Sequence, residues 1–293
     1  MIPAYPVFRQ IEKEDKPIFV QAFKINPPEI SEFTFTNLFA WRKIYRFQIS
    51  QLGGFIIISL QQDGNTKFFN PIGDGDIGIS VEKILKDKGG EFVRLPDKAK
   101  AIFENNHLFS IEPDRNNADY LYNTKDLVEL KGKKYDAKRN FIKKFKAKNQ
   151  YEYLKLREDN IQECLDFEEV WCSAKSCDSI KSLNDERQAF KEMLLNYSAF
   201  NLIGGVMKIK DRMAAVILAE PLSPRTLVLH IMKADPDIGG LYQTVLNEFL
   251  TRESLRYDYV NMEQDLGVPG LRKAKLSYQP ARILMKYTLR LKG

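Results

Sequence analysis

The sequence predicts an α+β protein with mixed α/β sheets, arranged as two tandem domains joined by a basic helix. Three observations carry this expectation. The chain has 293 residues, 44% hydrophobic and 12% aromatic against 29% charged, which is apolar mass enough for two cores of ordinary size. Short β-branched and aromatic runs alternate with helical runs in both halves. Between the halves lies a lysine-rich stretch that divides the chain into 1–130, 131–149 and 150–293. The composition excludes disordered, collagen-like and disulfide-scaffold classes.

In the first half, SEFTFTNLFAWRKIY (31–45) sets Phe35, Leu38, Phe39 and Arg42 at helical spacing after Ser31, with Glu32 favouring the first turn electrostatically. Arg46–Ser50, Gly54–Leu60 and Lys67–Asn70 are short strand-forming runs. The LGG and QDGN turns between them give an antiparallel meander. After PIGDGDIG, helices are expected at Val81–Lys88 and Lys98–Asn105, and strands at Glu91–Leu95, Phe109–Ile111 and Asp119–Tyr122.

In the second half, strands are expected at Tyr151–Leu156, Asn201–Ile209, Met213–Ala219, Thr226–Lys233, Asp258–Glu263 and Arg282–Leu291. Helices are expected at 159–173, 185–197, 240–256 and 269–276. The strands flanking helix 240–256 should be parallel and joined by a right-handed crossover, while their neighbours are linked by KDR and PLSPR hairpins.

The net charge of +6 is not evenly spread. Residues 131–148, KGKKYDAKRNFIKKFKAK, hold nine basic residues against Asp136 alone, a local +8 that leaves the rest of the chain at −2. Helix propensity runs from about Tyr135 to Asn149, with Phe141 and Phe145 as a narrow apolar stripe. Lys134, Lys138, Arg139, Lys143 and Lys144 can then hold RNA phosphates or anionic headgroups, or remain the solvated face of a connector.

No basic and apolar leader opens the sequence, and its longest apolar run, Met213–Ala219, is too short for a bilayer. Three cysteines, Cys164, Cys172 and Cys177, form an odd count that argues against a disulfide framework and for a cytoplasmic location. Their spacing, with only His107 and His230 to join them, argues against a metal site. GxSxG, Walker, dinucleotide and HExxH motifs are absent from the sequence.

The second-half order β, α, α, β, β, β, α, β, α, β is that of GNAT-type N-acetyltransferases. GKKYDAKRNFIKKF, from Gly132, resembles the segment linking paired acetyltransferase-like halves in the phosphatidylglycerol lysyltransferase C-terminal family. NMEQDLGVPGLRKAKLSYQPARILMKY (261–287) resembles that family's closing helix and strand, where a Lys, an aromatic and a Pro recur as in Lys275, Tyr278 and Pro280. The resemblance, to which SEFTFTNLFAW also contributes, implies a tandem GNAT-like fold related to the Fem transferases. It also implies transfer of an aminoacyl group from aminoacyl-tRNA to an amine or hydroxyl, with no tightly bound cofactor. The acceptor can be a small molecule, a peptide or a headgroup, the last through peripheral membrane contact. Two departures stand out: the long membrane portion of the lysyltransferases is absent, and Arg282 and Ile283 stand where an aromatic follows the proline.

The donor loop expected before helix 240–256 is Ile238, Gly239, Gly240 and Leu241. Against the acetyltransferase pattern Q/R-x-x-G-x-G/A it has Pro236 at the first position and Leu241 at the second glycine, with Asp235 and Asp237 at the same mouth. These features disfavour the pyrophosphate of acetyl-coenzyme A, the alternative donor, and a plain strand-to-helix turn is the other reading of the glycines. Beyond the next strand, Glu263 is the candidate base for an acceptor amine, while Asp265 suits a helix cap. Lys275 and Tyr278, three apart on a short helix, are the candidate oxyanion stabiliser and proton donor, or else a surface charge and a core aromatic. His230, flanked by apolar residues in TLVLHIMK, is expected to be a buried, hydrogen-bonded core histidine, with a catalytic one as the other reading. A non-catalytic module docking on RNA or an anionic surface is the competing class.

Overall fold

The computed structural model describes residues 1–62 and 64–292. It divides into two compact units. The first comprises 1–119, 264–269 and 283–293, and the second 120–263 and 270–282. The sequence put the first boundary near 130 and the whole C-terminus in the second half; here each unit takes in a piece of the other half of the sequence.

The first unit contains β1 (Arg9–Gln10), α1 (Lys16–Ile25), α2 (Phe35–Trp41), β2 (Gln48–Leu52), β3 (Phe55–Gln62), β4 (Asn65–Phe69), β5 (Ile72–Gly73), α3 (Ile77–Lys88), β6 (Glu91–Pro96), α4 (Asp97–Phe103) and β7 (Phe109–Pro113). The second contains β8 (Asp119–Asn123), α5 (Thr124–Glu129), α6 (Asp136–Lys148), β9 (Tyr151–Lys155), α7 (Ile161–Lys175), α8 (Lys181–Leu195), α9 (Tyr197–Phe200), β10 (Ile203–Ile209), β11 (Arg212–Ser223), β12 (Thr226–Ala234), α10 (Leu241–Glu253), β13 (Tyr259–Asn261) and α11 (Pro269–Leu276). The expected last strand, Arg282–Leu291, is two: β14 (Arg282–Leu284) and β15 (Lys286–Leu291). A strand pairs within one sheet, and these two belong to different sheets.

In the first unit the order is β1-β2-β3-β4-β6-β15-β7, with β5 beside β3. β4 and β6 are parallel and joined through α3. That helix buries Val81, Ile84 and Leu85 at i, i+3, i+4 against Phe68, Phe92 and Leu289 of the sheet. β15 lies between β6 and β7, antiparallel to both. Its first residue, Lys286, is fully buried, and its Nζ bonds Glu32 Oε2 at 2.6 Å and Asp119 Oδ1 at 2.5 Å. Arg94 Nε stands 3.2 Å from Glu32 Oε1 without hydrogen-bond alignment, and Arg94 also pairs with Asp114 at 2.6 Å. Burial raises the Glu32 carboxyl above its ordinary range despite the pull of Lys286. Ser31 does not cap the helix that follows. Its amide and hydroxyl donate to Asp119 at 2.7 and 3.0 Å, and Thr34 caps α2 by accepting from the Asn37 amide at 3.0 Å.

The second unit's sheet runs β8-β13-β12-β11-β10-β9, with β14 outside β8. The β10–β11 hairpin turns on Lys210 and Asp211, both at positive φ as a two-residue type I′ turn requires. Ala214 to Ala219 in β11 are all buried, the continuous run of a strand covered on both faces. β12 and β13 are parallel through α10, as the element order predicts, but only Thr226, Leu227 and Val228 have partners on β13. The sheet therefore opens along the remainder of β12.

The cysteine reading needs correction. Cys172 and Cys177 form a disulfide with Cα atoms 5.0 Å apart, because Ser176, in the left-handed conformation, reverses the chain after α7. Cys164 is free and buried, and burial pushes its thiol up to about 12. Lys286→Met should cost about 3–5 kcal/mol in urea denaturation, since it leaves Glu32 and Asp119 without their buried cation; a loss below about 1 kcal/mol would contradict the keystone role of this lysine.

Candidate active site

Beside the opening between β12 and β13, His230 is gathered with two glutamates. Register against β11 passes from Leu218↔Ile231 to Ala219↔Leu229, so His230 is the extra residue of a β-bulge and has no partner across the ladder. Bulges re-aim a side chain without breaking the strand. The imidazole, 1% exposed, meets Glu263 Oε1 at Nδ1 and Glu220 Oε1 at Nε2, both at 2.8 Å.

Glu263 reaches this position through backbone geometry. Two residues past β13 it holds φ 57°, a conformation costing about 1–3 kcal/mol for a non-glycine residue. The buried Asn261 side chain accepts the Glu263 amide at 2.8 Å, and the Glu263 carbonyl accepts the Tyr120 amide at 3.1 Å. The Glu263 and Glu220 side chains keep 20% and 11% of their surface.

Burial of His230 opposes its charged form, but hydrogen bonds to the two glutamates outweigh it and raise the pKa to about 9. At neutral pH the trio is carboxylate, imidazolium, carboxylate, with net charge −1. The two ring nitrogens face different carboxylates, and among the described residues no group of three or more such side chains is arranged to hold a metal ion. One oxygen of Glu263 is engaged by the imidazolium. The side chain keeps a fifth of its surface, and a carboxylate so placed suits an amine.

Lys275 Nζ donates to the Met262 carbonyl, next to Glu263, and stands 5.9 Å from the Tyr120 ring. The structure thus brings two of the predicted residues, Glu263 and Lys275, to the same strand end. Tyr278 lies on the 275–278 segment, whose carbonyls are held by the Tyr122 hydroxyl on Lys275 at 2.8 Å and the Tyr135 hydroxyl on Tyr278 at 3.2 Å. Burial raises the Tyr278 phenol pKa, so it remains a proton donor through the physiological range. Asp265 belongs to the first unit, is fully buried, accepts the Gly267 amide at 2.8 Å and pairs with Arg115 at 3.2 Å.

The donor loop is a tight turn. The Ile238 amide donates to Asp235 O and the Leu241 amide to Ile238 O, while Leu241 is buried and Gly239 open. Gly240 has φ 87°, and a Cβ there would stand 2.5 Å from the Phe141 carbonyl, so a glycine is required for α10 to start against α6. A second correction concerns α6. Ile142 and Phe145 are its buried residues, Ile142 packing with Leu130 and Tyr135, and Phe141 is 48% exposed, so the buried face uses residues three apart and not the two phenylalanines.

Of the basic residues singled out on this segment, only Lys143 and Lys144 are exposed with no ion pair among the described residues. Lys138 bonds Ser277 Oγ at 2.6 Å and stands 3.8 Å from the centre of the Tyr278 ring, and burial lowers its pKa. Arg139 donates to Gly132 O at 2.9 Å, to Leu130 O and to Asp136. Lys134 lies 5.0 Å over the Tyr135 ring and 3.9 Å from Asp126. The ring is buried and hydrogen-bonded, as the sequence led one to expect of His230, but sequence reasoning missed its partner Glu220; the isolated acid within the apolar stretch 213–222 was the available signal.

A sequence model of the family described as phosphatidylglycerol lysyltransferase, C-terminal, matches residues 23–290. A Bacteroides thetaiotaomicron structure described as a conserved protein of unknown function is 35% identical over all of both chains, with a TM-score of 0.90. The L-PGS structure from Bacillus licheniformis shares 14% identity over 97% of this chain and 93% of its own, with a TM-score of 0.66. The FemX structure shares 7% over 96% of each chain, with a TM-score of 0.56. No curated protein matches the sequence. These likenesses accord with a tandem GNAT-like architecture, and among the described residues no helix is long and apolar enough to cross a membrane.

Because the folded-state pKa of His230 lies above the unfolded value of 6.5, its contribution to stability is full below that pH and is lost as the pH rises through about 9. The magnitude is about 3 kcal/mol at 1.36 kcal/mol per pH unit. Guanidinium denaturation at pH 6 and pH 10 should show this loss in the native sequence and a much smaller one in Glu220→Gln; equal losses in both proteins would contradict the assignment.

Proposed function

We propose, from the premise that this chain belongs to the phosphatidylglycerol lysyltransferase C-terminal family, that it transfers an aminoacyl group from aminoacyl-tRNA to an amine or hydroxyl acceptor. The observation that carries the reading is Glu263 at the mouth of the split sheet, held in a strained backbone conformation and bonded to a buried imidazolium. Strain of this kind persists where the surrounding structure imposes it, and it clusters at active sites.

In the reaction, the acceptor nitrogen or oxygen attacks the ester carbonyl of the donor while Glu263 takes the acceptor's proton. The carbonyl oxygen becomes an oxyanion beside the Lys275 ammonium. The ester bond to the tRNA ribose breaks, and Tyr278 supplies a proton to the departing oxygen. The balance needs only donor and acceptor, so no resident cofactor is invoked. The net negative trio also favours a donor whose aminoacyl group carries its ammonium toward Glu263. Charged tRNA as donor fits a cytoplasmic reaction.

For tRNA, the proposal rests on Lys143 and Lys144, with exposed Phe141 beside Lys144 available to stack on an unpaired base. Arg139 and Lys138 support the chain and are poor choices for a binding test. Lys143→Glu with Lys144→Glu should weaken tRNA binding and reduce the slope of log K against log salt by roughly 2 for duplex contacts. An unchanged slope would remove tRNA from this face.

Glu263→Gln should lower single-turnover transfer by about 100-fold or more while leaving tRNA affinity unchanged. Transfer unaffected by this variant would overturn the role of the residue. Acetyl-coenzyme A supporting turnover in place of charged tRNA would replace the donor and keep the fold.

A further inference from the structure

The first unit contains a second feature unrelated to the strand-end site. α1, the 26–33 segment, the turn after β4, the N-terminus of α3 and the start of α4 surround a cavity of about 70 Å³. This is several times the roughly 10–15 Å³ that one water requires. The walls are flat and apolar. Pro28, Pro71 and Pro96 present rings, with Phe23, Phe33 and Ile72 between them. Asn70 lines the same cavity and is 91% buried. Its Nδ2 donates to the Pro71 carbonyl at 3.2 Å, and its Oδ1 has no hydrogen-bond partner among the described residues.

A buried carboxamide oxygen with no donor costs about 1–3 kcal/mol. A residue on a turn reaches such a state without penalty only when something supplies the missing donor. At the rim, Lys98 Nζ donates to Asn26 Oδ1 at 3.2 Å, and Glu29 is the opposing charge, so the mouth is near neutral.

We propose that this cavity is a binding site for a small, neutral, planar molecule with an apolar body and one N–H or O–H donor, the donor meeting Asn70 Oδ1. Proline and phenylalanine rings favour a flat partner, the balanced rim excludes a strong preference for either charge, and the orphan acceptor selects a donor over an acceptor at the ligand's buried end.

The test uses the full chain with indole and benzofuran, which share a shape and differ in presenting an N–H or an acceptor oxygen. Amide chemical-shift titration should show indole binding with shifts centred on Ile72, Ala99 and Ile102. Benzofuran should bind about tenfold more weakly, the difference a hydrogen bond of about 1.4 kcal/mol supplies. Ile102→Trp, at a position 51% exposed on the rim, should block both probes without disturbing the core. Asn70→Leu should make the two probes equal. Equal affinities in the native chain, shifts elsewhere, or no indole binding at millimolar concentration would each overturn the proposal; the comparison of probes in the native chain stands even if Asn70→Leu fails to fold.

Discussion

One buried imidazolium organises the second unit. His230 charges only because two carboxylates meet its two nitrogens, and those carboxylates arrive from β11 and from the turn after β13. Three features converge on that contact: the bulge that frees His230 from the ladder, the three-pair limit of the β12–β13 pairing, and the positive φ at Glu263. Each is unfavourable alone. A continued parallel ladder would close the sheet over the position His230 occupies, and a relaxed Glu263 would swing its carboxylate away from the ring. The ion cluster offsets these costs and leaves one carboxylate partly open to solvent at the end of a parallel strand, where α/β sheets bind ligands.

The first unit meets a related demand by burying charge. Its last strand comes from the far end of the sequence and must enter between β6 and β7. Lys286, the residue at which it enters, is bonded to Glu32 and Asp119, which flank the sheet from distant parts of the chain. A buried pair of this kind contributes little net stability compared with apolar packing, but it permits one register only, since any slip leaves three charges unmatched. The exchange of strands, with β8 going to the second sheet and β15 to the first, therefore has a specific lock on the β15 side.

Much of this was legible in the sequence. The crossover between β12 and β13 followed from the helix expected at 240–256 between two short apolar runs, and the meander of β2 to β4 from its turn residues. The strand end before Glu263 and the short helix that carries Lys275 are readable from local pattern, while Tyr278 falls two residues past that helix. What escaped was non-local. The bulge at His230 leaves the alternation of TLVLHIMK looking regular, so the ring reads as core and its two carboxylates, 10 and 33 residues away, do not enter. The division of 282–291 between two sheets cannot be seen in a run that is uniformly strand-forming. The lysines of α6 show the same limit: charge density marked the segment, while cation–ring contacts and carbonyl bonds decided which of them face solvent.

The most direct test of the account is the protonation state of one ring. The chain has two histidines, His107 and His230, so a long-range nitrogen–proton correlation spectrum on ring-labelled protein resolves them with a single His107→Gln control. The account predicts that both nitrogens of His230 carry protons at pH 7 and that the ring titrates near pH 9. A neutral ring at pH 7 with one bare nitrogen would contradict it, and would remove the charge that holds Glu263 at the mouth of the sheet.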